Sequence, residues 1–194
     1  MDILQLIVGL SLGVGLAAAS GFRVFVPLLV AALAVRSGMV GVAPDWEWIG
    51  SWPAIAAFAS AAIIEISAYY IPWLDNALDT IATPASVTAG ALLTATFLSD
   101  FDPMLQWGLA IIVGGGVSGA VQTATVATRA VSTAATAGFG NPVVSTVENS
   151  LSVVLALMAV LIPVLTALAA LALLVLVVRK LMRWRSARSP QPAI

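Results

Sequence analysis

Apolar residues along this chain gather into long runs, broken by short clusters of Gly, Pro and charge. Runs of this length predict membrane helices rather than half-buried strands, which would alternate. A spanning helix needs about 20 apolar residues, and about 17 still suffice. Residues 3 to 20 form the first run and end at Ser20-Gly21-Phe22-Arg23; residues 24 to 36 continue through Pro27 to Arg36. Gly, Pro and Arg falling together predict a tight helical hairpin or a broken helix. Residues 53 to 71 predict a third helix that stops before Pro72. Residues 84 to 98 predict a short fourth, with Thr83 and Pro84 in the cap and first-turn positions. A fifth runs from 104 to 136 and ends at Gly138-Phe139-Gly140, after which Asn141-Pro142 restarts the helix with the same cap chemistry. A continuous helix over 142 to 178 would measure about 55 Å against a hydrocarbon core of about 30 Å. That segment is expected to tilt, to kink at Pro163 or to start outside the lipid.

The expected fold class is all-α: a polytopic transmembrane helical bundle of about six membrane helices, with short, broken or re-entrant segments. One transmembrane domain is expected over 1–178, followed by a basic, disordered cytoplasmic tail over 179–194. Met1-Asp2-Ile3-Leu4 lacks the positive region of a secretory signal, so the first run is expected to be a retained helix.

Composition makes lipid the necessary solvent. Of the 194 residues 61% are hydrophobic and 9% charged, and the mean hydropathy is +1.07, whereas a soluble domain carries about 25% charged residues. There is no Cys and no His, which removes disulfides, thiolate zinc sites, nucleophilic thiols and imidazole relays. The one Lys, Lys180, lies near the end of the chain, and Gly114-Gly115-Gly116 is not followed by a Lys, so neither an intramembrane Schiff base nor a phosphate loop is expected. The chain is therefore expected not to be an enzyme and to carry no cofactor. Net charge is -1, and Arg179, Lys180, Arg183, Arg185 and Arg188 form a terminal basic cluster with no folded basic face for nucleic acid. By the positive-inside rule this cluster is cytoplasmic, and six crossings would put both termini there, in a bacterial inner membrane. Trp46, Trp48, Trp52, Trp107 and Trp184 are expected at one interface, and Tyr69, Tyr70 and Trp73 at the other.

Charges inside the lipid carry the candidate chemistry, because each costs at least about 2.5 kcal/mol at a helix centre. Arg23, Glu65, Asp75, Asp79, Arg129 and Glu148 all fall toward one side, the outer one in this topology. They form either interhelical ion pairs or the lining of a hydrated site. Ser118, Gln122, Thr125, Arg129, Ser132 and Thr136 step by three and four and so line one helical face; Ser145, Glu148, Asn149 and Ser152 line another. Polar stripes flanking a Gly-rich break suit the discontinuous helices around a transport site, while Ser and Thr also serve simply as packing and hydrogen-bonding residues between helices. The starts at Asn141-Pro142 and Thr83-Pro84 could receive an anion but are more economically explained as caps. Glu65, Asp75, Asp79 and Glu148 could ligate an oxygen-loving cation, but no metal-loop spacing supports it, and no metal is expected. Gly9, Gly13 and Arg23 recur as Gly115, Gly119 and Arg129 at an offset of 106 residues on a segment that would run parallel, by duplication or because small residues four apart let helices approach.

Glu65, Pro72-Trp73-Leu74-Asp75, Asp79, Pro84, Gly90-Ala91 and Asn141-Pro142-Val143-Val144-Ser145 with Glu148 together resemble a bacterial family of small integral membrane proteins known as a domain of unknown function. The resemblance covers the chain from the first helix to Ser152 and implies where a site lies, not its chemistry. The sequence departs at Tyr69 and Tyr70, where the family pattern has charged residues, and at Asn149, where an acid is usual. Both departures weaken an ion or proton role for that corner.

The leading expectation is a small transporter or channel-like permease for a small polar or ionic solute, possibly proton-coupled. Arg23, Glu65, Asp75, Asp79, Gln122, Thr125, Arg129, Asn141, Ser145 and Glu148 would bind or gate. The alternative is a non-catalytic scaffold or lipid-interacting protein with structural ion pairs. Expected partners are membrane lipids and the solute, with the Gly9 and Gly13 pair offering a surface for a homo-oligomer.

Overall fold

A computed structural model describes residues 3–98 and 101–187, without side-chain placement for residues 72–73, 75–76, 177–178 and 180–187. Among the described residues the chain is helical throughout, with turns between the helices and no strand. The helices are α1 (Ile3–Ser20), α2 (Phe25–Arg36), α3 (Trp52–Ala68), α4 (Pro72–Thr96), α5 (Pro103–Leu109), α6 (Gly116–Thr136), α7 (Asn141–Leu161) and α8 (Pro163–Ala187). A 3₁₀ turn at Pro44–Gly50 precedes α3, and a π-helical stretch at Ala110–Gly115 joins α5 to α6. The expected all-α membrane bundle is what the chain forms. By length and composition α1, the continuous Pro103–Thr136 rod and α7 can each cross a bilayer, and Pro44–Ala68 makes a fourth span if its 53° bend is counted as one.

Local chemistry explains several starts. Ser51 accepts from the Ala54 amide at 3.3 Å to open α3, and Asp102 accepts from the Met104 amide at 3.0 Å to open α5, each with a Pro in the first turn. Two expected starts are corrected. Thr83-Pro84 does not cap a helix, since Pro84 lies inside α4. The hydroxyls of Thr83, Ser86 and Thr88 bond back to the carbonyls of Asp79, Thr83 and Pro84, the means by which membrane helices tolerate an interior Pro. Asn141 does not cap α7 either; it sits in the first turn and donates from Nδ2 to Thr133 Oγ1 on α6 at 3.0 Å. The end of α6 is turned by left-handed backbone at both Ala137 and Gly138.

Helix α4 lies between α1 and the Pro103–Thr136 rod, and Ser86, Thr94 and Thr96 are buried within it. On one side α1 approaches through Gly13, where a Cβ would stand 2.9 Å from the Thr94 Cα, and Gly9 faces the Phe97 carbonyl. On the other, Gly90 meets Gly114, so closely that a Cβ on Gly90 would lie 2.7 Å from the Gly114 carbonyl oxygen. Because contacts ascend along α1 and α6 as they descend along α4, α1 and α6 run parallel, as expected for the two segments.

The last expected segment is two helices rather than one long one. Val143 and Val144 of α7 line the same cavity as Leu173 and Leu174 of α8, whereas a continuous rod would hold such positions about 45 Å apart. The chain breaks at Ile162, before Pro163, and reverses. A Cβ on Gly15 would touch both Ala159 and Thr166, and Ala170 packs with Ala18, so α7 descends along α1 and α8 climbs back beside it. The helices therefore make seven alternating passes. Ile3 and the far end of α8 lie at opposite ends of the bundle. Helix α8 continues through Arg179 to Ala187; residues 188–194 of the expected tail lie outside the described residues.

Gly90→Ala should lower stability by about 1–3 kcal/mol, the cost of overpacking a close contact. Gly108→Ala, with open space around it, is the control. Thermal unfolding in detergent measures both, and equal midpoints would contradict the Gly90–Gly114 contact.

Candidate functional site

The breaks after α1, α3 and α6 meet at one end of the bundle, and two arginines meet there with them. Arg23 follows the Gly21-Phe22 turn and is buried completely, with its side chain 0% exposed. It donates from Nε to Asn149, from Nη1 to the Phe22 carbonyl at 2.7 Å and Glu148 Oε2 at 3.1 Å, and from Nη2 to the Ser145 carbonyl at 3.3 Å. Arg129, with its side chain 2% exposed, pairs with Asp79 at 2.8 Å and with the same Glu148 oxygen. Both guanidiniums stack over the Tyr69 ring, 4.1 and 3.9 Å from its centroid. The Tyr69 hydroxyl donates to Asp79 at 3.3 Å, and Ser145 donates to the Tyr69 carbonyl. Two cations so close would repel, and the shared carboxylate and the ring's negative face offset that repulsion.

Glu65 has a separate task. Its two oxygens accept from the Val24 and Phe25 amides at 2.7 and 3.0 Å, so a carboxylate on α3 holds the N-terminus of α2 and meets its positive dipole end. The residues predicted for the site thus divide. Arg23, Asp79, Arg129, Ser145 and Glu148 are brought into one network, while Glu65 adjoins it through its hold on α2. Gln122 and Thr125 are buried further along α6, the Thr125 hydroxyl donating to the Gln122 carbonyl. Asn141 ties α7 to α6 through Thr133. The Asp75 side chain lies outside the described ones, as do those of Trp73 and Trp184. Trp46 and Trp107 do share one end of the bundle, with ring centroids 6.1 Å apart.

Sequence reasoning missed Tyr69 as the centre. It was expected in the aromatic belt and is instead 3% exposed beneath the two cations. Its spacing of four from Glu65 on α3 and its place just before Pro72 were the available signals. Asn149, noted only as a departure from the family pattern, bonds Arg23 and reaches the Tyr70 hydroxyl. Among the described residues no group of three or more acids is arranged to hold a metal.

Three cavities border the cluster. One of about 340 Å³ lies among α1, α6, α7 and α8 and includes Glu148; one of about 240 Å³ includes Glu65 and Tyr69; one of about 330 Å³ includes Asp79, Thr80 and Thr83. Residues 10–183 match the family described as Domain of unknown function (DUF4126). The chain belongs to that family. No curated protein and no solved structure matches it. For this DUF4126 chain the chemistry has to be argued from the cluster itself.

Replacing Arg129 with Gln leaves Glu148 and Asp79 short of a buried cation and should cost about 3–5 kcal/mol. Tyr69→Phe keeps the ring and loses one hydroxyl bond, for about 1 kcal/mol; Tyr69→Leu should cost more by removing the cation–π contacts as well. Unfolding of the detergent-solubilised protein measures the order, and a Tyr69→Leu variant as stable as Tyr69→Phe would remove the ring from the account.

Proposed function

We propose that this DUF4126 protein is a non-catalytic, lipid-interacting membrane protein whose buried charges form a structural clasp. One observation carries the reading: Arg23 and Arg129 are both sealed from solvent, each paired to a carboxylate and stacked on Tyr69. A solute pathway needs charged groups that can exchange their partners for water or substrate. Here the same donors close four helix junctions, so exchanging them would open the bundle.

A second reading, transport of a small polar or ionic solute, draws support from Asp79. It pairs with Arg129 and also borders the cavity with Thr80 and Thr83, which gives a solute one route toward the cluster. Proteoliposomes containing the protein should release K⁺, phosphate and glycerol no faster than protein-free vesicles. Faster release, abolished in a folded Asp79→Asn variant, would overturn the clasp reading in favour of transport.

The resemblance to a bacterial family supports the inner membrane as the location. Seven passes and the positive-inside rule support a cytoplasmic C-terminal basic cluster, a cytoplasmic charge cluster beside it and an external N-terminus. The opposite end carries Asp45, Glu47 and Asp102 against Arg36, which fits an external face. The absence of Cys makes single-cysteine labelling clean. A Phe139→Cys protein should react with a membrane-impermeant maleimide from the cytoplasmic side alone, and a Trp48→Cys protein from the outside alone; the reverse pattern would invert the assignment.

A further inference from the structure

Helix α8 keeps one exposed face along its length but changes that face's chemistry. Leu165, Leu168, Ala172, Leu176 and Arg179 are all exposed and step by three and four, so they share one side of the helix. The opposite side, with Thr166, Ala167 and Ala170, is buried against the bundle. The register carries positions 180 and 183 onto the exposed side with Arg179, and both are basic, Lys180 and Arg183. A face that is apolar as far as Leu176 is therefore basic from Arg179 onward.

Nothing beside α8 answers that charge. The helix packs on α1, α7 and α6, and the one acid those three helices hold is Glu148, which is buried and already receives Arg23 and Arg129. None of the ion pairs among the described side chains includes Arg179. Depth matters as well. Residues 163–178 carry no charge and rise about 24 Å, short of a hydrocarbon core of about 30 Å, so the first basic turn is held at the headgroups rather than out in water.

A place for a lipid chain adjoins that turn. The cavity of about 340 Å³ lies where α7 and α8 part, with α1 and α6 behind, and Phe22, Val143, Val147, Leu151 and Leu173 give it apolar walls. All of these but Phe22 are also exposed large hydrophobics, so the cavity opens toward the lipid. A mostly apolar recess stays dry, and an acyl chain can fill it. Leu174 lines the same cavity, and Arg179 lies only about 7.5 Å further along the helix, within reach of a phosphate whose chain occupies the recess. The ion cluster itself does not attract an anion, because Glu65, Asp79 and Glu148 outnumber Arg23 and Arg129; the attraction comes from α8. We infer that this end of α8 is a binding site for an anionic phospholipid, its phosphate at positions 179, 180 and 183 and one acyl chain in the cavity between α7 and α8. A free phosphate would use only the first part and a zwitterionic lipid only the second. The site names a lipid class for the lipid-interacting reading and rests on it.

The test is native mass spectrometry of the full chain in detergent, titrated with phosphatidylglycerol, with phosphatidylcholine of the same chains, and with soluble glycerol phosphate. Phosphatidylglycerol should bind at least about tenfold tighter than phosphatidylcholine, since each basic group near the membrane surface contributes about fivefold, and glycerol phosphate should not bind. Replacing Arg179, Lys180 and Arg183 together with Gln should make the two lipids equal, while Arg36→Gln at the other end keeps the preference. Leu151→Trp, which fills the cavity, should weaken phosphatidylglycerol severalfold. Equal binding of the two lipids by the unaltered protein, a preference that survives the three glutamines, binding of glycerol phosphate, or full phosphatidylglycerol affinity in Leu151→Trp would each overturn the site. If that happens while the proteoliposomes remain impermeable, the phospholipid site fails and the clasp stands; solute flux would defeat the clasp itself.

Discussion

The carboxylate of Glu148 is the constraint on which the other junctions depend. It lies on α7, yet one of its oxygens holds an arginine from the break after α1 and another from α6. Lipid cannot solvate any of these charges, so the three elements stay together wherever that oxygen is. Tyr69 adds the end of α3, and Asp79 adds α4. Five segments far apart in sequence are thus fixed by one small polar assembly at one end of the bundle. At mid-level the glycines of α1 and of the π-helical stretch pack against α4, and at the opposite end Arg36 bonds the Gly50 carbonyl and stacks over Trp52.

The two kinds of contact divide the work. Glycine packing sets how close α1, α4 and α6 approach but tolerates sliding, because small smooth surfaces specify register weakly. The charged assembly sets the register, since a shift of one residue would take Arg23 or Arg129 away from its partners. Glu65 shows the same logic on a smaller scale, spending its carboxylate on the two free amides that α2 presents at its start.

Much of this was legible in the sequence because lipid leaves few choices. The apolar runs, the Gly-Pro-Arg breaks and the six charges that must be explained all follow from the cost of exposing polarity to hydrocarbon. Most of the charged residues picked out for a site do gather at one end, and α1 and α6 run parallel, as the count of segments between them predicts. The failures have physical causes too. Pro84 reads locally as a helix start, but neighbouring hydroxyls bond the carbonyls around it. Pro163 reads as a kink, and the reversal there depends on α8 finding a surface beside α1, which no local pattern records. Tyr69 looks like an interfacial aromatic until two cations from distant segments meet over its ring.

The order in which the charged partners appear during synthesis has a consequence of its own. Arg23 is made 125 residues before Glu148, and Arg129 also precedes it. A nascent chain that has delivered α1 to α6 therefore holds two arginines still lacking their shared counter-ion. Hydrocarbon is a poor place to wait with that charge, so these ends stay near the headgroups until α7 is inserted. Assembly is completed late and from the C-terminal side, and a chain cut short before Glu148 carries its own mark of incompleteness.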